Sequence, residues 1–118
     1  MKSEAISIKG QQLARKLGFP TINLKTDTDP EEGVFQGQLI INKRTYDGAI
    51  FIGKSTTFNI DQKKVEIHLF DFDQEVPEDT KCTLVIKKKI REPQKFNSVN
   101  ELKKQIAKDL QTIKKMLK

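Results

Sequence analysis

The chain has 118 residues, of which 36% are apolar and 32% charged, so it reads as one globular domain with a modest core rather than a disordered or fibrous chain. No apolar run is long enough to cross a bilayer as a helix, and the N-terminus lacks the basic-then-apolar pattern of a signal peptide. The net charge of +6 would favour any anionic partner without choosing among nucleotide, RNA or acidic lipid. Cys82 is the only cysteine, so no internal disulfide can form. These features together predict a cytoplasmic protein without a membrane segment.

Glu4 to Lys9 alternates through Ile6 and Ile8 and predicts a first strand. Gly10 to Gly18 follows as a polar, basic loop. Leu17-Gly18-Phe19-Pro20-Thr21-Ile22-Asn23 comes next, with Pro20 fixing its own φ and turning Phe19 away from helix. Thr21 and Asn23 lie two apart, so in an extended segment both point to one side. A hydroxyl and an amide carbonyl suit a hard cation such as Mg²⁺, which takes few protein ligands. Pro20-Thr21-Ile22-Asn23 also reads as a plain strand end or turn.

Thr26 to Gly33 is a second loop, acidic and carrying Pro30. Val34–Ile41 and Thr45–Ile52 read as two strands of a hairpin joined by Asn42-Lys43-Arg44. Lys54 to Asn59 is a polar connection, and Val65–Phe72 is a further strand. There Val65, Ile67 and Leu69 share one face, with Glu66, His68, Phe70 and Phe72 on the other. A carboxylate flanked by apolar surface is a candidate general base, although a solvated strand glutamate fits the period equally well. His68 is a weaker candidate and reads as a structural or surface histidine. Asp73 to Asp79 is an acidic loop, and Thr83–Ile90 a last strand; Cys82 at its start is expected to be buried and inert.

The period then changes. Ser98-Val99-Asn100-Glu101 has capping-box spacing, and Val99, Leu102, Ile106, Leu110, Ile113 and Leu117 form one helical stripe. Lys103, Lys104, Lys108, Lys114 and Lys115 lie on the other side. Short strands with frequent turns and one terminal helix favour a small closed barrel over an open sheet. No Walker A loop, zinc-ligand spacing, nucleophile elbow or dinucleotide fingerprint is present.

Taken in order, Leu17–Asn23, Gly33-Val34-Phe35, Ile52-Gly53, Val65-Glu66-Ile67-His68-Leu69-Phe70-Asp71-Phe72, Ile90-Arg91-Glu92, Lys95-Phe96 and the helix through Asp109 resemble the riboflavin kinase (flavokinase) family. That domain also forms the C-terminal half of bacterial bifunctional FAD synthetases. The resemblance implies a mainly β fold: a six-stranded Greek-key barrel over about residues 3–92 and a C-terminal helix over about 98–117, in one domain spanning 1–118. It implies transfer of the γ-phosphate of ATP to the ribityl 5′-hydroxyl of riboflavin, giving FMN, by a monomer.

By position, Thr21 and Asn23 would hold Mg²⁺ and Glu66 would be the base. Gly10, Arg15, Lys16, Gly18 and Pro20 would serve the nucleotide loop and its turn, and Arg91 would belong to a flap near the flavin. Nucleic acid is not an expected partner. The adenylyltransferase half of the bifunctional relatives is absent, so FAD synthesis is not expected from this chain.

The chain departs from the family pattern in three places. Gly10-Gln11-Gln12-Leu13-Ala14-Arg15 lacks the usual inner glycine and the arginine before it. Lys54-Ser55-Thr56-Thr57 lacks a Pro-Thr pair, and the loop after Phe72 carries Glu75-Val76-Pro77-Glu78 in place of a Tyr-Gly segment. These changes predict weakened or altered nucleotide binding. They motivate an alternative, a flavin-binding or regulatory module on the same barrel. A third reading, an RNA-binding barrel using the lysine face, rests on charge alone.

Overall fold

The computed structural model describes residues 1–9, 18–55 and 60–117, with the side chains of 55, 60 and 61 left aside. Six strands run in chain order as β1 (Lys2–Ile8), β2 (Ile22–Thr26), β3 (Gly33–Ile41), β4 (Arg44–Ser55), β5 (Ile60–Leu69) and β6 (Lys81–Arg91), and helix α1 (Val99–Met116) follows. They close into a barrel in the order β1-β2-β5-β4-β3-β6. Every pairing is antiparallel. β3, β4 and β5 form a meander and β6 returns beside β3, which is Greek-key connectivity. Closure leaves no sheet edge to aggregate.

The alternation seen in the sequence decides which side chains go inside. Leu39, Ile50, Ile67 and Leu84 are fully buried within the barrel, with Leu24, Val65 and Leu69 around them. The β3–β4 turn is Asn42-Lys43, both at positive φ (51° and 66°), the conformation that a tight two-residue hairpin needs. Arg44 is therefore the first residue of β4 rather than part of the turn. Gly37 and Gly48 face each other across β3 and β4. A Cβ on Gly37 would come within 2.4 Å of the Val85 carbonyl, and one on Gly48 within 2.5 Å of the His68 carbonyl, so both sites need glycine for the strands to approach.

A second apolar cluster lies outside the barrel. Val34, Ala49 and Phe70 project outward and meet Ile106, Leu110 and Ile113 of α1, with Phe19, Phe51, Ile90 and Leu102 at its border. Ser98 caps α1, its Oγ accepting the Glu101 N–H at 3.2 Å. The Glu101 carboxylate accepts the Asn97 N–H, one residue earlier than in a strict capping box. The stripe is buried in its middle only; Val99 and Leu117, at its ends, remain exposed.

A second expectation is corrected. Phe72 does not share the outer face with Glu66 and Phe70, because β5 ends at Leu69 and Asp71 takes positive φ (54°). That turn re-aims Phe72 to the barrel core, where its ring meets Tyr46 edge-on at 4.9 Å. Cys82 is buried as expected, its thiol bonded to the Ala5 carbonyl. Burial, and then Glu4, push its pKa up, away from the reactive thiolate.

Candidate active site

β2 and β5 bring the predicted residues together. Asn23 and Glu66 are directly opposed across the two strands, so both side chains leave the outer face side by side. Thr21 lies two residues before Asn23, and its hydroxyl donates to Glu66 Oε1 at 3.2 Å. Burial pushes the Glu66 carboxyl above its ordinary value, and the Thr21 hydrogen bond and nearby Lys64 offset part of that rise. This is the setting in which a carboxylate can take a proton near neutral pH.

The turn entering β2 is held from the side by His68. Its Nδ1 lies 2.7 Å from the Pro20 carbonyl, which can only accept, so Nδ1 carries the proton. The histidine thus positions the Pro20-Thr21 entry. Gly18 sits at φ 92°, a conformation suited to glycine. Gly10, Arg15 and Lys16 lie outside the described residues.

A cleft of about 640 Å³ opens beside this group. Lys9, Thr21, Asn23 and His68 line part of it, and Asp73, Gln74, Glu75, Val76 and Glu78 of the β5–β6 connection line another. Glu66 is not among the lining residues; Thr21 belongs both to the cleft and to the carboxylate's hydrogen bond.

Arg91 is committed elsewhere. Its Nε lies 3.0 and 3.2 Å from the two Asp109 carboxylate oxygens and its Nη2 2.8 Å from Oδ2, while Nη1 donates to the Glu92 carbonyl. Gln105 Nε2 donates to the same carboxylate at 2.9 Å. Even so, the register places Arg91 in one lateral row with the site: Asn23 opposes Glu66, Glu66 opposes Phe51, Phe51 opposes Val34, and Val34 opposes Arg91. Phe51 is a neighbour of Glu66 that the sequence reading missed, since strand pairing is non-local. Asp109 had a legible signal: it lies three residues after Ile106 and four before Ile113, on the buried side of α1.

Fold and site together define a closed Greek-key barrel with a half-buried carboxylate, a hydroxyl and an amide grouped on its outer face, beside a polar cleft. A family model described as "Flavokinase: Riboflavin kinase" matches residues 1–117. The chain belongs to the riboflavin kinase family. It is 40% identical over 105 residues to the trifunctional protein RibF/MnmA of Mycoplasmoides gallisepticum, covering 86% of this chain and 16% of that protein. It is 37% identical to the RNA-binding riboflavin kinase RibR of Bacillus subtilis, covering 92% of this chain and 47% of RibR. Identity to the bifunctional riboflavin kinase/FMN adenylyltransferase of B. subtilis is 36%, over 92% of this chain and 36% of the relative. The chain therefore spans less than half the length of these relatives. Among solved structures, a macrolide-efflux protein from Streptococcus pneumoniae superposes with a TM-score of 0.82 at 27% identity, over 96% of this chain and 38% of that one.

Proposed function

We propose that this chain is a riboflavin kinase, transferring the γ-phosphate of ATP to the ribityl 5′-hydroxyl of riboflavin, with residues 1–118 acting as one unit. The observation that carries this reading is the convergence of Thr21, Asn23 and Glu66 on one outer face, with the carboxyl raised by burial and bonded to Thr21. In the reaction the ribityl oxygen bonds to the γ-phosphorus, the bond from that phosphorus to the ADP oxygen breaks, and Glu66 accepts the hydroxyl proton. Phosphoryl transfer needs chiefly positioning and charge neutralisation, which these parts can supply.

The donor set fits Mg²⁺. With its proton given to Glu66, Thr21 Oγ1 keeps its lone pairs for a cation, and the Asn23 amide oxygen is a second neutral hard ligand. Among the described residues no three His, Cys, Asp or Glu side chains cluster to cage a metal. A cation here would thus depend on the nucleotide phosphates for its remaining ligands. When bound, Mg²⁺ would neutralise phosphate charge.

Riboflavin, ATP and Mg²⁺ incubated with the chain are expected to yield FMN on chromatography, with other nucleoside triphosphates tried in parallel. FMN with ATP supports the reading. Riboflavin binding by folded protein without FMN from any donor would instead favour a flavin-binding module. No described helix is long and apolar enough to cross a membrane.

RNA is a second partner class to test, and the similarity to RibR weakens the expectation that nucleic acid is not a partner. Lys103, Lys104, Lys108, Lys114 and Lys115 are all exposed on α1, and the similar RibR is an RNA-binding riboflavin kinase. Binding through that face should fall steeply as salt rises; absence of RNA retention at low salt would reject it.

A further inference from the structure

We infer that Ser7 is a positioning residue for the nucleotide: its buried hydroxyl holds the end of the β5–β6 connection that lines the cleft shared with Thr21 and Asn23. The inference rests on the kinase reading and adds a residue outside the phosphoryl-transfer set.

Ser7 is 2% exposed, on the inward face of β1 at the strand's end. Its Oγ donates to the Pro77 carbonyl at 2.6 Å and accepts the Thr80 N–H at 2.9 Å. The backbone repeats the attachment, Ser7 N–H donating to the Thr80 carbonyl at 3.0 Å and the Asp79 N–H to the Ser7 carbonyl at 2.8 Å. Thr80 Oγ1 also donates to the Pro77 carbonyl. Within this knot Asp79 sits at φ 63°, a left-handed conformation that is unfavourable for a non-glycine residue. The knot holds the turn in that conformation.

Residues 70–80 carry little regular structure, so their place depends on such anchors. Phe72 and Val76 pack against the barrel core, and Ser7 fixes the far end. Asp73, Glu75 and Glu78 of this connection line a cleft where Lys9 is the one lysine or arginine among the described lining residues. Carboxylates there can accept hydrogen bonds from ribose hydroxyls or an exocyclic amine but repel phosphates. Their distance from Thr21 and Asn23 therefore decides whether they help or oppose a nucleoside triphosphate. Loosening the anchor should weaken nucleotide binding while leaving proton removal at Glu66 untouched.

β1 supplies its own comparison. Ser3 is equally buried on the same face, about 13 Å away along the strand, and its Oγ bonds Asp27 and Thr28, outside the cleft.

The decisive pair is Ser7→Thr and Ser7→Val, which have the same shape and differ in the hydroxyl alone. Ser7→Val is expected to raise the nucleotide KM about tenfold, the worth of a buried hydrogen-bonded pair of groups. The riboflavin KM and kcat should stay within about threefold on the same scale, and Ser7→Thr and Ser3→Ala should leave the nucleotide KM near that of the unaltered chain. Equal nucleotide KM for Ser7→Thr and Ser7→Val, or parallel rises in both substrates' KM, would overturn the inference. If Ser7→Val does not fold, Ser7→Ala is read by the same criteria. If the unaltered chain makes no FMN from any triphosphate, the kinase reading fails on its own. Calorimetry with Mg²⁺ and a non-hydrolysable ATP analogue then judges Ser7: weaker binding by Ser7→Val than by Ser7→Thr keeps the inference, and equal or absent binding ends it.

Discussion

Glu66→Gln is expected to cut FMN formation by about 10²–10⁴-fold, the usual worth of a positioned general base, while the protein stays folded. Glutamine keeps an oxygen to accept the Thr21 hydroxyl proton, so the β2–β5 contact survives and only the basicity is lost. The pH dependence has a definite sign. Burial favours the protonated carboxyl, so kcat/KM of the unaltered chain should fall as pH drops through a value above the ordinary 4.5.

Stability runs the other way. Because the folded state binds this proton more tightly, Glu66 lowers stability as pH rises from about 4.5 through its raised pKa. Glu66→Gln should therefore be at least as stable as the parent near neutral pH, with that difference vanishing in acid. Paired denaturation curves at pH 4 and 7.5, run beside the FMN assay, check both statements. Near-normal turnover in the folded variant would remove Glu66 from the base role.

Asp109→Ala is expected to destabilise the chain by about 3–5 kcal/mol, because it leaves a largely buried guanidinium without its counter-charge. Asp109 is 2% exposed and accepts from Arg91 through both Nε and Nη2 and from Gln105 as well. This ion pair ties the end of β6 to the middle of α1, across the residues 92–98 that connect them. A loss of that size should lower the thermal midpoint by about 10 °C or more. The double variant Arg91→Met with Asp109→Leu should recover most of it, since two apolar residues avoid burying an unpaired charge. A drop below 1 kcal/mol in Asp109→Ala would show that water reaches the pair.

Much of the site was legible in the chain before any fold was known. Thr21 and Asn23 share a side because strand side chains alternate with a period of two. Glu66 faces outward because Val65 and Ile67 must go in. The terminal helix announces itself through Ser98, Glu101 and a three- and four-residue stripe. Where the placement of Phe72 failed, one residue's backbone was responsible: Asp71 at φ 54° ends the alternation and sends Phe72 inward, and nothing in the strand's periodicity marks that break.

The sequence by itself determined the family, the strand faces, the helix and the residue types available for chemistry, because all of these depend on local spacing. Tertiary structure decided which of those residues meet. Opposition of Asn23 to Glu66, the row from Glu66 to Arg91, the ion pair of Arg91 with Asp109 and the grip of Ser7 on Pro77 and Thr80 all join positions distant in the chain. Their geometry follows from how six strands close into a barrel, and register between remote strands is set by the packing of the whole core rather than by any short stretch of residues.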